Sequence, residues 1–464
     1  MTSEARDAKE TREARTTRVL SSKEHFIKNE NCYVGKSSIT ASTDWILNSQ
    51  NEIVYQTSHF IPKVKKLIQE GFSNTIDANL REYSRSGVFP KPTEVTVTEN
   101  SVRLKNYSPI DLIPIEYYKP HGKNDDYLKE MLIPEIVFGT LYSSSNYDGN
   151  RDGIGTFGIG AKAITLFSSF LNVVVKSKTH KYTHKWKQGE TISKDLVELK
   201  KTSKTCYVDI TFDVLIEDKP YVFTETDILM IKKLVYDAAI FISNGIYFNN
   251  QLIQLSAKDY MIMHAKQEPS IVFKNQDTTV WMFFIKNNKT SSTLFTNGSS
   301  FKLTKVHTKS LTCQLVPKET LYDKVKSHIL YLIVHNSKSL VFNDFQKTFT
   351  TDCLNIVFDN ETIELFNKSE VMTWIDKINR SLLTKPSNIT QLTESLGSPK
   401  MSHLILTEGE SAKSNVIVGM SKNRKQYAVY AIRGKPTNIT NVSPSMYGSD
   451  VLQLISVLGE KTFR

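Results

Sequence analysis

The sequence predicts a mixed α/β or α+β chain of two to three domains. Its 464 residues exceed what one hydrophobic core usually supports. Short strand-like runs alternate with helical ones, the pattern of layers that mix sheet and helix. The hydrophobic and charged fractions, 39% and 23%, are those of a globular protein.

In chain order, residues 1–17 are polar, charged and free of aromatics, and read as a mobile arm without the apolar segment of a secretory signal. Pro62–Asn79 reads as a helix. Pro62 suits its first turn, and Val64, Leu67, Ile68, Phe72 and Ile76 form an apolar stripe. Gly71 weakens it by roughly 1 kcal/mol relative to Ala. Tyr142–Gly160 is turn-rich, Leu171–Val175 and Val280–Ile285 read as strands, Thr320–Val334 as a helix, and Lys385–Lys400 as a linker. No run of apolar residues is long enough to span a bilayer. Cys32, Cys206, Cys313 and Cys353 are far apart with no CxxC pair, so neither a disulfide framework nor a zinc site is expected, and a reducing interior is. The net charge of +11 suits a polyanionic partner, DNA being the commonest large one, without singling it out.

Two constellations carry chemistry. On the first helix, Glu70, Asn74 and Asp77 share one face, within about 60° of arc. Such a trio is either a solvated polar face or a site with a carboxylate base, an amide oxygen for a metal and an acid for a ligand's polar edge. Residues 153–170, GIGTFGIGAKAITLFSSF, place Gly155, Gly158 and Gly160 just before an apolar helical run. Backbone N–H groups of such a loop can close on a phosphate, and Lys162 adds a charge. The loop is neither a Walker loop, since no GK[ST] ends it, nor a dinucleotide fingerprint, since no acid follows about 20 residues on.

ExxxNxxD on a helix, then Ser143-Ser144-Ser145-Asn146-Tyr147-Asp148, then GxxGxGAK resembles the nucleotide site of type II DNA topoisomerases, within the gyrase, Hsp90 and MutL ATPase class. Leu20–Gly35 resembles that family's N-terminal segment. The resemblance implies an α+β chain: a Bergerat (GHKL) ATPase sandwich over residues 18–219, a ribosomal-S5-like transducer over 220–385, a linker over 386–400, and the first part of an α/β Toprim domain over 401–464. It implies ATP and Mg2+ as cofactors. Glu70 would activate the attacking water, Asn74 would hold Mg2+, and Asp77 closes the motif. Ser144, Ser145 and Asn146 match the stretch at the nucleotide sugar and phosphates. Gly155, Thr156, Phe157, Gly158, Ile159, Gly160, Ala161 and Lys162 match the phosphate loop and ATP lid. Phe157 stands where polar residues are usual. The adenine-facing turn, glycine-rich in the family, here runs Asn106-Tyr107-Ser108-Pro109-Ile110-Asp111-Leu112-Ile113-Pro114. Asn106 would contact ATP, and Asp111 is the acid available to replace the usual one.

Further on, Phe342–Lys347 keeps the Phe-to-Lys interval of the family's FxxQTK loop, with the glutamine shifted by one. Gln346 and Lys347 would reach the γ-phosphate, Lys347 stabilising charge on the transferred group. LILTEGESAKS (Leu404–Ser414) resembles the opening of Toprim. Glu408 would be a Mg2+ half-site, and Lys413, Arg433 and Lys435 would lie near the DNA backbone. No DxD follows, and one carboxylate does not satisfy Mg2+. The cleavage chemistry is therefore expected from elsewhere: either the chain is cut, or the enzyme is divided, as in T-even-like bacteriophage topoisomerases. The implied partners are duplex DNA, a second copy through the ATPase gate, and further subunits carrying the rest of Toprim and the tyrosine-bearing cleavage domain, with no membrane. The implied location is intracellular, in the host cytoplasm if viral. Two other functions remain open: an ATP-gated clamp of the same class without topoisomerase activity, and a non-hydrolysing DNA-binding subunit.

Overall fold

The computed structural model describes residues 20–121, 125–141, 143, 158–286, 288–316, 322, 325–336, 356–374, 392–393, 396, 403–432 and 454. The expected arm at 1–17 lies outside them.

The chain builds two large sheets. The first has eight strands, in the order Gln251–Ile253, Ile246–Phe248, Thr93–Val97, Val102–Asn106, Tyr207–Phe212, Leu171–Lys176, His180–Lys187, Glu190–Glu198. Its central strands alternate buried and half-buried positions, so one face is covered and the other is not. The covered face carries the long helix Pro62–Ser86, the short helix Gly160–Leu166 and the helix Glu225–Ala239. Sheet membership runs past residue 219: Ile246–Phe248 pairs parallel with Thr93–Val97, and Phe223 through Ile253 share the first core.

The long helix starts at Pro62 and stops at Gly87, whose left-handed φ of 73° ends it as a C-cap does. It is buried well beyond an apolar stripe, with Lys63, Lys66, Glu70, Ser73, Thr75, Asp77 and Asn79 among its buried residues. Gly71 has a reason: a Cβ there would sit 3.1 Å from Ile164 Cδ1 and 3.1 Å from Leu104 Cδ1. The helix gives up some intrinsic stability to approach both the sheet and the short helix.

The second sheet runs Ile271–Lys274, Thr278–Phe284, Ile329–His335, Thr293–Thr296, Ser299–Lys302. Helices Lys305–Leu315 and Asn360–Asn367 pack in one apolar cluster with it. The hairpin Thr40–Leu47/Ile53–Phe60 and helix Ala257–Ala265 pack in another, where Trp45 Nε1 donates to the Ser291 carbonyl at 2.8 Å. The helix expected over Thr320–Val334 is corrected here, because Ile329–His335 is a strand buried at every position. A strand covered on both faces loses its alternation and reads like a buried helix. Strands Leu171–Lys176 and Thr278–Phe284 match their expectations.

The turn of the hairpin Thr293–Lys302 joins the two sheets. Asn297 and Gly298 have φ of 46° and 75°. Gly298 lies so close to the long helix that a Cβ would meet Ile76 Cγ2 at 2.6 Å. Beside it, Ser300 Oγ donates to Asp237 Oδ2 at 2.9 Å, Tyr260 OH donates to Asp237 Oδ1 at 2.8 Å, and Lys233 pairs with the same carboxylate at 2.7 Å.

A third unit pairs His403–Glu408 parallel with Tyr427–Ile432, connected by helix Gly409–Gly419. Leu392–Thr393, within the stretch expected as linker, adds an antiparallel edge strand to it. Among the described residues no helix is long and apolar enough to cross a membrane.

Candidate active site

The site forms where the long helix meets the short one. Glu70 is 7% exposed, and its Oε1 lies 2.8 Å from the Lys66 ammonium one turn earlier. Gly160, first residue of the short helix, abuts the same carboxylate; a Cβ there would lie 2.9 Å from Glu70 Cδ. Asn74 is exposed and Asp77 buried, so the trio is no solvated face. A carboxylate enters such surroundings only when paired.

Gly158 has φ of 60°, and a Cβ there would strike the Ser143 backbone, 2.6 Å from its carbonyl carbon. Ser143 thus packs directly against the glycine loop. Lys162, 5% exposed, reaches back to donate to the Ser143 carbonyl at 2.9 Å. Burial lowers its ammonium to about 8. Thr165 fastens the short helix by donating to the Phe138 carbonyl at 2.8 Å. Ile159 and Ala161 are buried in the core beneath. A buried cation held only by a carbonyl is a setting that an anionic ligand would relieve.

A second polar group lies at the end of Val102–Asn106. Asn106, 4% exposed, accepts from the Ser108 N–H at 3.1 Å, and Ser108 Oγ donates to Asn79 Oδ1 at 2.9 Å. Asn79 in turn donates to Thr93 Oγ1. The buried chain Asn106–Ser108–Asn79–Thr93 orders the turn without glycine. Asp111 is exposed. Lys66 and Asn79 were not singled out from sequence, and Ser108 and Ser143 were named only as members of their stretches. Lys66 had a signal, standing four residues before Glu70 on one helix face.

In the third unit, Glu408 is exposed at the end of its strand. Lys413 is 6% exposed and pairs with Glu410 at 3.1 Å, so it braces its own helix rather than offering a cation to the surface. Among the described residues no cluster of three or more His, Cys, Asp or Glu could hold a metal. Ser144, Ser145, Asn146, Gly155, Thr156, Phe157, Gln346, Lys347, Arg433 and Lys435 lie outside the described residues.

No protein-family model matches the chain. It is similar to DNA topoisomerase 2 of Candida albicans, 25% identical over 503 aligned positions that cover 94% of this chain and 33% of that protein. It is also similar to DNA topoisomerase 2 of Acanthamoeba polyphaga mimivirus, 22% identical over 91% of this chain and 36% of that one. The chain thus spans about a third of the length of these relatives. Among solved structures, the ATPase region of Saccharomyces cerevisiae topoisomerase II superposes with a TM-score of 0.65 at 20% identity, covering 78% of this chain and 98% of that one. The ATPase and transducer domains of DNA topoisomerase II from Balamuthia mandrillaris superpose with a TM-score of 0.63 at 18% identity, over 77% and 97%. The α+β fold expected for the first two domains is therefore the fold observed.

Proposed function

The chain is homologous to the type II DNA topoisomerases, and we propose that it is the ATP-hydrolysing part of such an enzyme. The observation that supports this reading is the contact of Gly160 with the Glu70 carboxylate, since a phosphate loop that leads into the short helix would then lie beside its base. Glu70 is the general base that takes a proton from the attacking water, and Lys66 orients its carboxylate. Lys162 supplies positive charge to the phosphates. Asp77 and Asn106 serve the polar edge of the nucleotide, while Ser144, Ser145, Asn146 and Gly155–Phe157 complete its enclosure. Lys347, with Gln346, contributes from the second domain.

Mg2+ takes hard oxygen donors and few protein ligands beside substrate phosphates. The exposed Asn74, one turn from Glu70, offers one amide oxygen and fits that requirement. The ion, when bound, neutralises phosphate charge. In the third unit Glu408 is a Toprim half-site that requires acids from another chain or segment. Arg433 and Lys435 contact the DNA backbone there.

ATP dimerises two copies into a gate around a duplex, and hydrolysis resets it. Another chain or segment supplies the remaining metal ligands and the cleavage tyrosine. Such an enzyme works inside a cell, and the mimivirus relative makes a viral setting a fitting one. A non-hydrolysing DNA-binding subunit is the second reading, favoured by the hydrogen-bonded Asn106–Ser108 turn that replaces the adenine-facing glycines. ATP turnover measured with and without duplex DNA separates the two. Glu70→Gln should lower turnover by about 100-fold or more, and undiminished turnover would overturn the role of Glu70.

A further inference from the structure

The uncovered face of the first sheet concentrates positive charge at one end. Between Lys176 and Lys204 nine lysines stand against three acids, a net +6 out of the chain's +11. The fold gathers six of them. Lys176 and Lys181 are directly opposed cross-strand partners, with Lys178 in the turn between them. The loop carrying Lys200, Lys201 and Lys204 is held against that turn by two backbone hydrogen bonds, Leu199 N–H to the Thr179 carbonyl and Ser203 N–H to the Lys178 carbonyl, both 2.7 Å. Lys176 is half-buried and the other five are exposed. Neither 177–181 nor 199–206 contains an acid. Like charges directly opposite on a sheet are destabilising, so the arrangement favours a partner that brings negative charge.

We propose that this end of the sheet is a docking surface for the phosphate backbone of duplex DNA, separate from the nucleotide site on the helix-covered side. Three features select a duplex over other polyanions. The patch is broad: the lysine-bearing loop between Glu190–Glu198 and Tyr207–Phe212 crosses three strand spacings, roughly 14 Å. Its two neighbouring tyrosines each carry a lysine, Lys105 lying 4.8 Å from the Tyr107 ring centre and 5.4 Å from that of Tyr207, which disfavours stacking of unpaired bases there. It is a sheet face, with no helix on it among the described residues to enter a groove, so contacts fall on phosphates and bind without sequence preference. The surface deepens the reading as part of a DNA topoisomerase by adding a duplex site outside the ATP-gated interior, and its own evidence is charge and geometry.

The test measures binding of the full chain to a labelled mixed-sequence duplex of about 20 base pairs across roughly 50 to 200 mM salt. The comparison is a variant with Lys178, Lys181, Lys200, Lys201 and Lys204 all changed to Gln. Each phosphate contact contributes about 0.9 to the slope of log affinity against log salt, so the slope should shallow by up to about 4.5. The same lysines changed to Arg should retain the slope, and turnover of ATP without DNA should stay at the unmodified level. An unchanged slope in the Gln variant would overturn the proposal. So would an equal loss on neutralising Lys258, Lys266, Lys274, Lys289 and Lys305, or single-stranded DNA or poly-glutamate binding as tightly as duplex. A chain that binds duplex through these lysines yet never hydrolyses ATP would sink the ATPase reading and leave this surface standing.

Discussion

Replacing Gly160 with Ala should disable turnover while leaving the fold nearly intact. The new Cβ would lie 2.9 Å from Glu70 Cδ and 3.2 Å from Cγ, and closer still to a carboxylate oxygen. Carbon atoms pack favourably at about 3.5–4.0 Å, so the carboxylate must retreat by at least about half an ångström. The obstacle is the end of a flexible side chain, and it can yield by χ rotation at about 0.5–1.5 kcal/mol. Yielding also stretches the 2.8 Å contact with Lys66. Against this, Ala in place of Gly favours a helix by at most about 1 kcal/mol. The two effects nearly cancel, and the urea midpoint should correspond to a change within about 1 kcal/mol. The chemistry has no such compensation, because misplacing a reacting group by about 1 Å costs on the order of 100-fold in rate. Steady-state phosphate release beside urea unfolding is the assay. Full turnover in the variant, or turnover lost only in step with a large loss of stability, would refute the placement of the base against the loop.

Lys162, lowered by burial to about 8, binds fewer protons folded than unfolded between that value and about 10.4. Stability of the nucleotide-free chain should therefore rise with pH across that window, by about 1 kcal/mol from pH 8 to 9, and thermal unfolding of Lys162→Met should lack that rise. Burial lowers His184 to about 4 as well, despite the nearby Glu135 carboxylate. Between about pH 6.5 and 4 the proton goes to the unfolded chain alone, so stability falls with acid through that range. His184→Gln should flatten this limb of a pH-unfolding curve. Gly298→Ala combines a left-handed φ of 75° with a 2.6 Å collision against Ile76 Cγ2. It should cost about 2–4 kcal/mol in urea unfolding, and a cost below about 1 kcal/mol would contradict the docking of that turn.

The helix Pro62–Ser86 was legible because its apolar stripe and its acids follow one period, and the strands Leu171–Lys176 and Thr278–Phe284 because they are short, β-branched or aromatic runs. Ile329–His335 was not, because burial on both faces erased the alternation that marks a strand. The site's residue types were readable, whereas the partners were tertiary. Nothing near Lys162 in sequence points to the Ser143 carbonyl, and nothing near Asn79 points to Ser108. The domain division near 220 was misplaced by sheet membership, since residues 246–253 return to a sheet begun at residue 93.

That return has a consequence for how the chain is made. The edge strand Thr93–Val97 waits for a partner, Ile246–Phe248, that follows about 150 residues later. At translation rates of about 5–20 residues per second, the interval is about 8–30 seconds. Through that time the nascent first sheet carries an open strand edge, the kind of surface on which chains pair wrongly. Long-range parallel pairing of this sort is also slow to form. A fragment ending at residue 219 would hold that edge open permanently. The first sheet therefore matures only after residues 246–253 have been synthesised, and shortened versions of the protein should extend through Ile253 to remain soluble.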